Sequence, residues 1–226
     1  MLIKYVTNTY EITDKYRSIL LDVKEAKVKI EPSSDGSTSL VLFEKKRNPY
    51  RFSVQNGTLT VEPTKTKWYN SLRVGIDHSR ITVRVPKSTL DAITVKATVG
   101  DVDISSVNCT GAIDVQTNTG KVSASDISSG AFSSKGNTGS IALTNVTATE
   151  TVYVKRNTGK VSLNDCTSPE ISVKTNTGRV CGRLPSSIAF AVQSNTGKIQ
   201  VPKPPIGEAI SGRCEIKTNT GRVQFE

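Results

Sequence analysis

The tripeptide Asn-Thr-Gly recurs six times, ending on Gly120, Gly139, Gly159, Gly178, Gly197 and Gly221, and a degenerate first copy reads Thr98-Val99-Gly100. Counted from Gly100, the intervals are 20, 19, 20, 19, 19 and 24 residues. A period of this length marks a supersecondary unit that cannot bury its apolar face alone and must stack on copies of itself.

The residues around each glycine alternate with period two, the pattern of a strand with one buried face. Seven before the glycine stand Ile93, Ile113, Phe132, Val152, Ile171, Phe190 and Cys214; five before stand Val95, Val115, Ser134, Val154, Val173, Val192 and Ile216. Two after come Val102, Val122, Ile141, Val161, Val180, Ile199 and Val223; four after come Ile104, Ala124, Leu143, Leu163, Gly182, Val201 and Phe225. Each unit therefore reads as a strand, a glycine corner, a second strand and a looser return. The pattern predicts an all-β fold: a single-stranded parallel β-helix, or β-solenoid, right-handed, with 19–20 residues per coil. Aromatic residues make up only 5% of the chain, which suits a narrow core of this kind better than a thick globular one.

Residues 93–226 form the regular array in this reading. Residues 18–92 read as irregular N-terminal coils and a cap, with strands at 26–30, 39–43, 52–55, 58–61 and 80–85 and an Asn56-Gly57 turn akin to the repeated corner. Residues 1–17 are expected to be a cap strand or a loose arm. The Pro- and Gly-rich segment 203–213 accounts for the long last interval and is expected to project as a loop. The last strand stops within its coil, so the C-terminal coil is expected to be an open end exposing Val223 and Phe225, covered by a protein partner or a second copy.

The tandem NTGK-V and NTGR-V units, together with Ile81-Thr82-Val83-Arg84-Val85-Pro86 leading into the first coil over residues 90–103, resemble the putative-adhesin family of bacterial β-strand-repeat proteins, a domain of unknown function. The resemblance covers roughly residues 20 to 226 and implies the solenoid architecture. It brings no catalytic residues with it.

The residues themselves offer little to catalysis. His78 is the only histidine, in a turn before a strand, and no paired carboxylates recur from coil to coil. No metal-ligand spacing links Cys109, Cys166, Cys181 and Cys214, so neither a metal nor a cofactor is expected. Cys166 and Cys214 fall in core slots and Cys181 in an outward one, a placement without disulfides that suits a reducing compartment. The first 21 residues show no charged leader followed by an apolar run, and no stretch is long enough to span a membrane, so an intracellular home is favoured.

The net charge is +10, with 16 basic and 10 acidic residues before position 93 and 14 and 10 after it. Much of the excess follows the repeat. Directly after the corner glycine stand Lys121, Lys160, Arg179, Lys198 and Arg222; four before it stand Lys96, Lys135, Lys155, Lys174 and Lys217. Both positions point outward by alternation. Two basic rows should thus flank a column of corner asparagines (Asn118, Asn137, Asn157, Asn176, Asn195 and Asn219), whose amides are spaced to hydrogen-bond as a ladder. Such rows either keep exposed strands soluble or bind an anion. Basic and aromatic residues also mix at Lys45-Lys46-Arg47, Tyr50-Arg51 and Lys65 to Tyr69, a weak nucleic-acid or membrane signal. The leading functional expectation is a non-catalytic interaction scaffold that binds a protein partner or assembly through its flat faces or its open C-terminal end. The alternative is an adhesin-like module whose basic stripe binds an acidic polysaccharide, an anionic lipid surface or nucleic acid.

Overall fold

The computed structural model describes residues 4–64, 79–203, 207 and 209–226. Among them are nineteen strands and no helix, joined in one sheet of mixed orientation around a single apolar core. His78 and the Lys65–Tyr69 cluster lie outside the described residues.

Each repeat adds one layer. Strand β10 (Ala112–Thr119) pairs in parallel with β8 (Ala92–Val99) on one side and with the later half of β11 (Val122–Thr138) on the other. Beyond the corner, the first half of β11 pairs in parallel with β9 (Val102–Asn108) and with β12 (Ile141–Thr158). Equivalent residues fall opposite one another, so Ile93, Ile113, Phe132, Val152 and Ile171 form one buried column. Each such apolar side chain contributes roughly 1.5–3 kcal/mol by leaving water.

The return segment is more regular than its sequence suggests. Six residues past the corner glycine, Ser106, Asp126, Asn145 and Asp165 all adopt φ between 53° and 55°. Short polar side chains tolerate this left-handed conformation, and here they turn the chain onto a third inward-facing run. That run buries Val107, Ile127, Val146 and Cys166. Asn145 Nδ2 donates to Asp126 Oδ1 of the layer beside it at 2.8 Å.

The order of layers in space is not the order in sequence. Strand β18 (Gly212–Thr220) lies between β14 (Glu170–Thr177) and β16 (Ile188–Thr196), and β19 (Val223–Phe225) lies between β15 (Val180–Arg183) and β17 (Ile199–Gln200). The expected open C-terminal coil is therefore an inner layer, with Val223 and Phe225 buried. The outermost layer is 188–200 instead, and its Ile199 is 42% exposed. The segment expected to project as a loop carries the chain back from that layer, and Ser211 N donates to Ser187 O on the way.

The other end repeats the device. β2 (Ser18–Glu25) and β3 (Lys27–Pro32) form a layer between 92–104 and an outer one made of β6 (Thr58–Pro63) and β7 (Arg80–Val85). Residues 18–32 are thus part of the regular stack, with Ala26 in the corner position. Antiparallel strands finish this end: β1 (Tyr5–Ile12) on β4 (Thr38–Lys45), β4 on β7, and β5 (Tyr50–Gln55) on β6. Asn56 and Gly57, at φ 50° and 71°, make the two-residue turn of the β5–β6 hairpin. That turn differs from the repeated corner, where glycine φ runs from 126° to 158°. Tyr10 meets Phe52 at 4.7 Å between ring centres, and the Tyr16 hydroxyl hydrogen-bonds with Thr38 Oγ1 at 2.8 Å, so aromatic residues help to close this end.

Candidate functional site

The spatial reordering changes what the basic rows are. Four residues before the corner, Lys135 lies opposite Lys155, Lys155 opposite Lys174 and Lys174 opposite Lys217. In sequence Gln193 would follow Lys174; in space Lys217 stands between them. Directly after the corner, the amide of Val161 bonds to the carbonyl of Arg179, that of Val180 to Arg222, and that of Val223 to Lys198. Lys160, Arg179, Arg222 and Lys198 therefore also occupy consecutive layers. Layers of a sheet lie about 4.8 Å apart, so each row sets four cations along roughly 15 Å.

The two remaining members stand apart. Lys96 is opposite Asp22 and Gln116. Lys121 is separated from the second row by Ser140, and its backbone N–H donates to Asp101 Oδ1 at 3.0 Å. Asp101 also meets Lys27 at 3.4 Å. The basic face is thus confined to the layers from 131 onward.

Two lysines of the first row share an aromatic neighbour that sequence reasoning missed. The ammonium groups of Lys135 and Lys174 each lie 5.7 Å from the centre of the Tyr153 ring, within cation–π range. Of the residues six before each corner glycine, Tyr153 alone is aromatic, and that was the available signal. Lys217 is paired with Glu215 at 2.8 Å; the Lys217 hydrogen bond, with its charge, holds the Glu215 carboxyl below its ordinary range. Beyond the second row, Arg179 Nη2 donates to Gln224 Oε1 at 2.8 Å.

Between the lysine row and the asparagine column runs an open groove of about 410 Å³, lined by Gly136, Asn137, Lys155, Arg156, Asn157, Lys174, Thr175 and Asn176. Asn157 Nδ2 donates to Asn137 Oδ1 at 3.0 Å, and Asn195 Nδ2 to Asn219 Oδ1 at 2.7 Å. These bonds join corner asparagines of two pairs of adjacent layers. The Arg156 side chain is itself 1% exposed and inward-facing. It fits because residue 136 is glycine: a Cβ there would lie 2.0 Å from Arg156 Nη1. That Nη1 donates to the Thr117 carbonyl at 3.1 Å, while Nε and Nη2 have no partner and burial pushes the guanidinium pKa down.

The four thiols are free and buried. Cys181, expected outside, is 8% exposed. It lies in a shallow depression whose walls include the longer side chains of Arg179, Arg183 and Gln224. Desolvation pushes Cys166 up to about 11 and Cys214 up to about 12, so neither is a thiolate at neutral pH. No group of three metal-ligating side chains occurs among the described residues, and no helix among them is long and apolar enough to cross a membrane.

A family profile, Toastrack DUF4097, matches residues 16–224. The chain belongs to the Toastrack DUF4097 family. Solved structures similar to this Toastrack domain carry the descriptions putative adhesin, putative cell adhesion protein and putative lipid binding protein. A putative adhesin of Bacteroides fragilis is 17% identical, with 99% of this chain and 97% of that one covered, at TM-score 0.54. A putative cell adhesion protein of Clostridium sporogenes is 10% identical, covering 98% and 99%, at TM-score 0.49. A putative lipid binding protein of Parabacteroides distasonis is 16% identical, covering 96% and 97%, at TM-score 0.44. No curated protein matches the sequence. The resemblance read from the NTG repeats is therefore sound, and the likeness to solved structures speaks to fold alone.

Proposed function

We propose that this Toastrack domain is a non-catalytic, adhesin-like binding module that holds an acidic polymer on its basic face. The observation carrying the reading is the contiguity of Lys135, Lys155, Lys174 and Lys217 on one side of the corner and of Lys160, Arg179, Arg222 and Lys198 on the other. Like charges about 5 Å apart in water repel by something under 1 kcal/mol per pair, so the rows oppose folding mildly and favour an anionic partner. The array is a parallel β-helix in this reading, supported by the in-register parallel pairing of the successive layers. Its hand follows the rule that parallel crossovers are right-handed. The asparagines extend the two observed amide links into a longer column.

The test is binding to an immobilised acidic polymer across a salt series. Wild type should be retained at low ionic strength and released as salt rises, with a slope that falls when Lys155, Lys174, Arg179 and Arg222 become Gln. Binding that ignores both salt and these substitutions would refute the reading. A protein-partner scaffold is the second reading, favoured by the apolar surface of the outermost layer, where Ile199 is exposed and Phe190 and Val192 are only partly buried. Retention of a protein at high salt, lost on Ile199→Lys, would support it instead.

A further inference from the structure

We propose that the acidic polymer is an extended linear glycan bearing one carboxylate or sulfate per sugar or per alternate sugar, lying along the stack in the groove between the lysine row and the asparagine column. The inference rests on the polyanion reading above and adds the chemistry of the ligand.

Three features select this class. The first is geometry. The row's four residues lie opposite one another from layer to layer, at the layer spacing of about 4.8 Å, or about 10 Å for alternate layers. An extended chain of pyranose rings keeps its charges in a line at a comparable repeat. The phosphates of a nucleic-acid duplex follow a helical path and leave such an in-register row after a few contacts. A lipid surface presents its charges across a broad plane, whereas this face presents a groove.

The second feature is chemical. The groove joins two kinds of residue side by side: Lys155 and Lys174, and the asparagines Asn137, Asn157 and Asn176. Each carboxamide has two N–H donors and a carbonyl acceptor, and the 3.0 Å link from Asn157 to Asn137 uses only one donor and one acceptor site. The unused groups match the hydroxyls of a sugar ring, which both donate and accept. Cations alone would suit any polyanion; cations beside a row of amides suit one that also carries hydroxyls.

The third feature is preorganisation. Tyr153 holds the ammonium groups of Lys135 and Lys174, two layers apart, at 5.7 Å from its ring. Lysines that are already placed lose less side-chain freedom when an anion arrives.

The experiment compares three probes by calorimetry at low salt: oligogalacturonates of two to eight units, single-stranded oligodeoxynucleotides of equal charge, and phosphatidylglycerol vesicles. Oligogalacturonate should bind tightest, with affinity climbing until the chain spans the four lysine layers and levelling beyond. Lys155→Gln with Lys174→Gln should weaken it at least about tenfold, the loss expected for removal of charge-assisted hydrogen bonds. Asn157→Ala, which removes the carboxamide without adding charge, and Tyr153→Leu should each weaken it several-fold while the circular dichroism spectrum stays that of wild type. Equal or tighter binding of the oligonucleotide or the vesicles, or oligogalacturonate binding indifferent to the Asn157 and Tyr153 changes, overturns the glycan assignment and leaves the basic face as a general anion surface. Absence of binding to all three probes overturns the polyanion reading itself.

Discussion

A methyl group on Gly159 would sit 2.0 Å from the carbonyl oxygen of Gly139, and the same near-contact recurs down the column, at 1.9 Å from Gly178 to Gly159 and 1.7 Å from Gly221 to Gly178. The corner needs glycine for two reasons, since φ is also positive there, at 146° for Gly159. Gly159→Ala should therefore cost more than about 2 kcal/mol, read as a shifted urea midpoint. Gly36, at φ 78° with nothing within 4 Å, isolates the backbone part, and Gly36→Ala should cost only about 1–2 kcal/mol. The thiols supply a second residue-scale prediction. Burial raises the folded-state pKa of Cys214 from 9.0 to about 12, so between those values the folded protein keeps a proton that the unfolded chain releases. Stability from this group is full below pH 9 and falls as pH rises towards 12. Cys214→Ala should make the decline in unfolding free energy above pH 9 shallower.

At the scale of elements, the in-and-out alternation around the NTG corners was legible because most strands there bury one face, as Ile113, Val115, Val122 and Ala124 illustrate. Strand β7 could be read from Arg80 to Val85 for the same reason. The order of layers was not legible. Repeats that share Ile, Val and Cys at equivalent positions fit beside one another in several orders, and nothing local marks 212–225 for the slot between 170–183 and 188–200. One clue is complementary volume: Gly182 lies opposite Phe225, whose ring also meets Phe190 at 4.9 Å. The candidate site suffered from the same gap. Its ten basic residues could be found from the repeat, but which eight are neighbours depended on the order, and Tyr153 joined them only through contacts across layers. The element-scale prediction follows directly. Removal of residues 212–226 should leave β16 without its partner, so amide protons across 188–200 should lose protection from exchange while those of 112–163 keep it.

For the whole molecule, charge is unevenly spread along the stack: acids such as Asp22 and Asp101 stand among the bases of the first layers, while the later ones carry the uninterrupted rows. Salt should accordingly stabilise the fold, since the screening length shortens to about 10 Å at 0.1 M and relieves the like-charge contacts. The melting temperature should rise from low to moderate ionic strength, and Lys174→Gln should reduce that rise. The interleaved ends bear on how such a molecule is made. During synthesis, residues 188–200 leave the ribosome before residues 212–225, the segment on which they will rest. The outermost layer must wait, unpaired, for strands that follow it in the chain, so assembly at this end depends on a segment made after the one it completes.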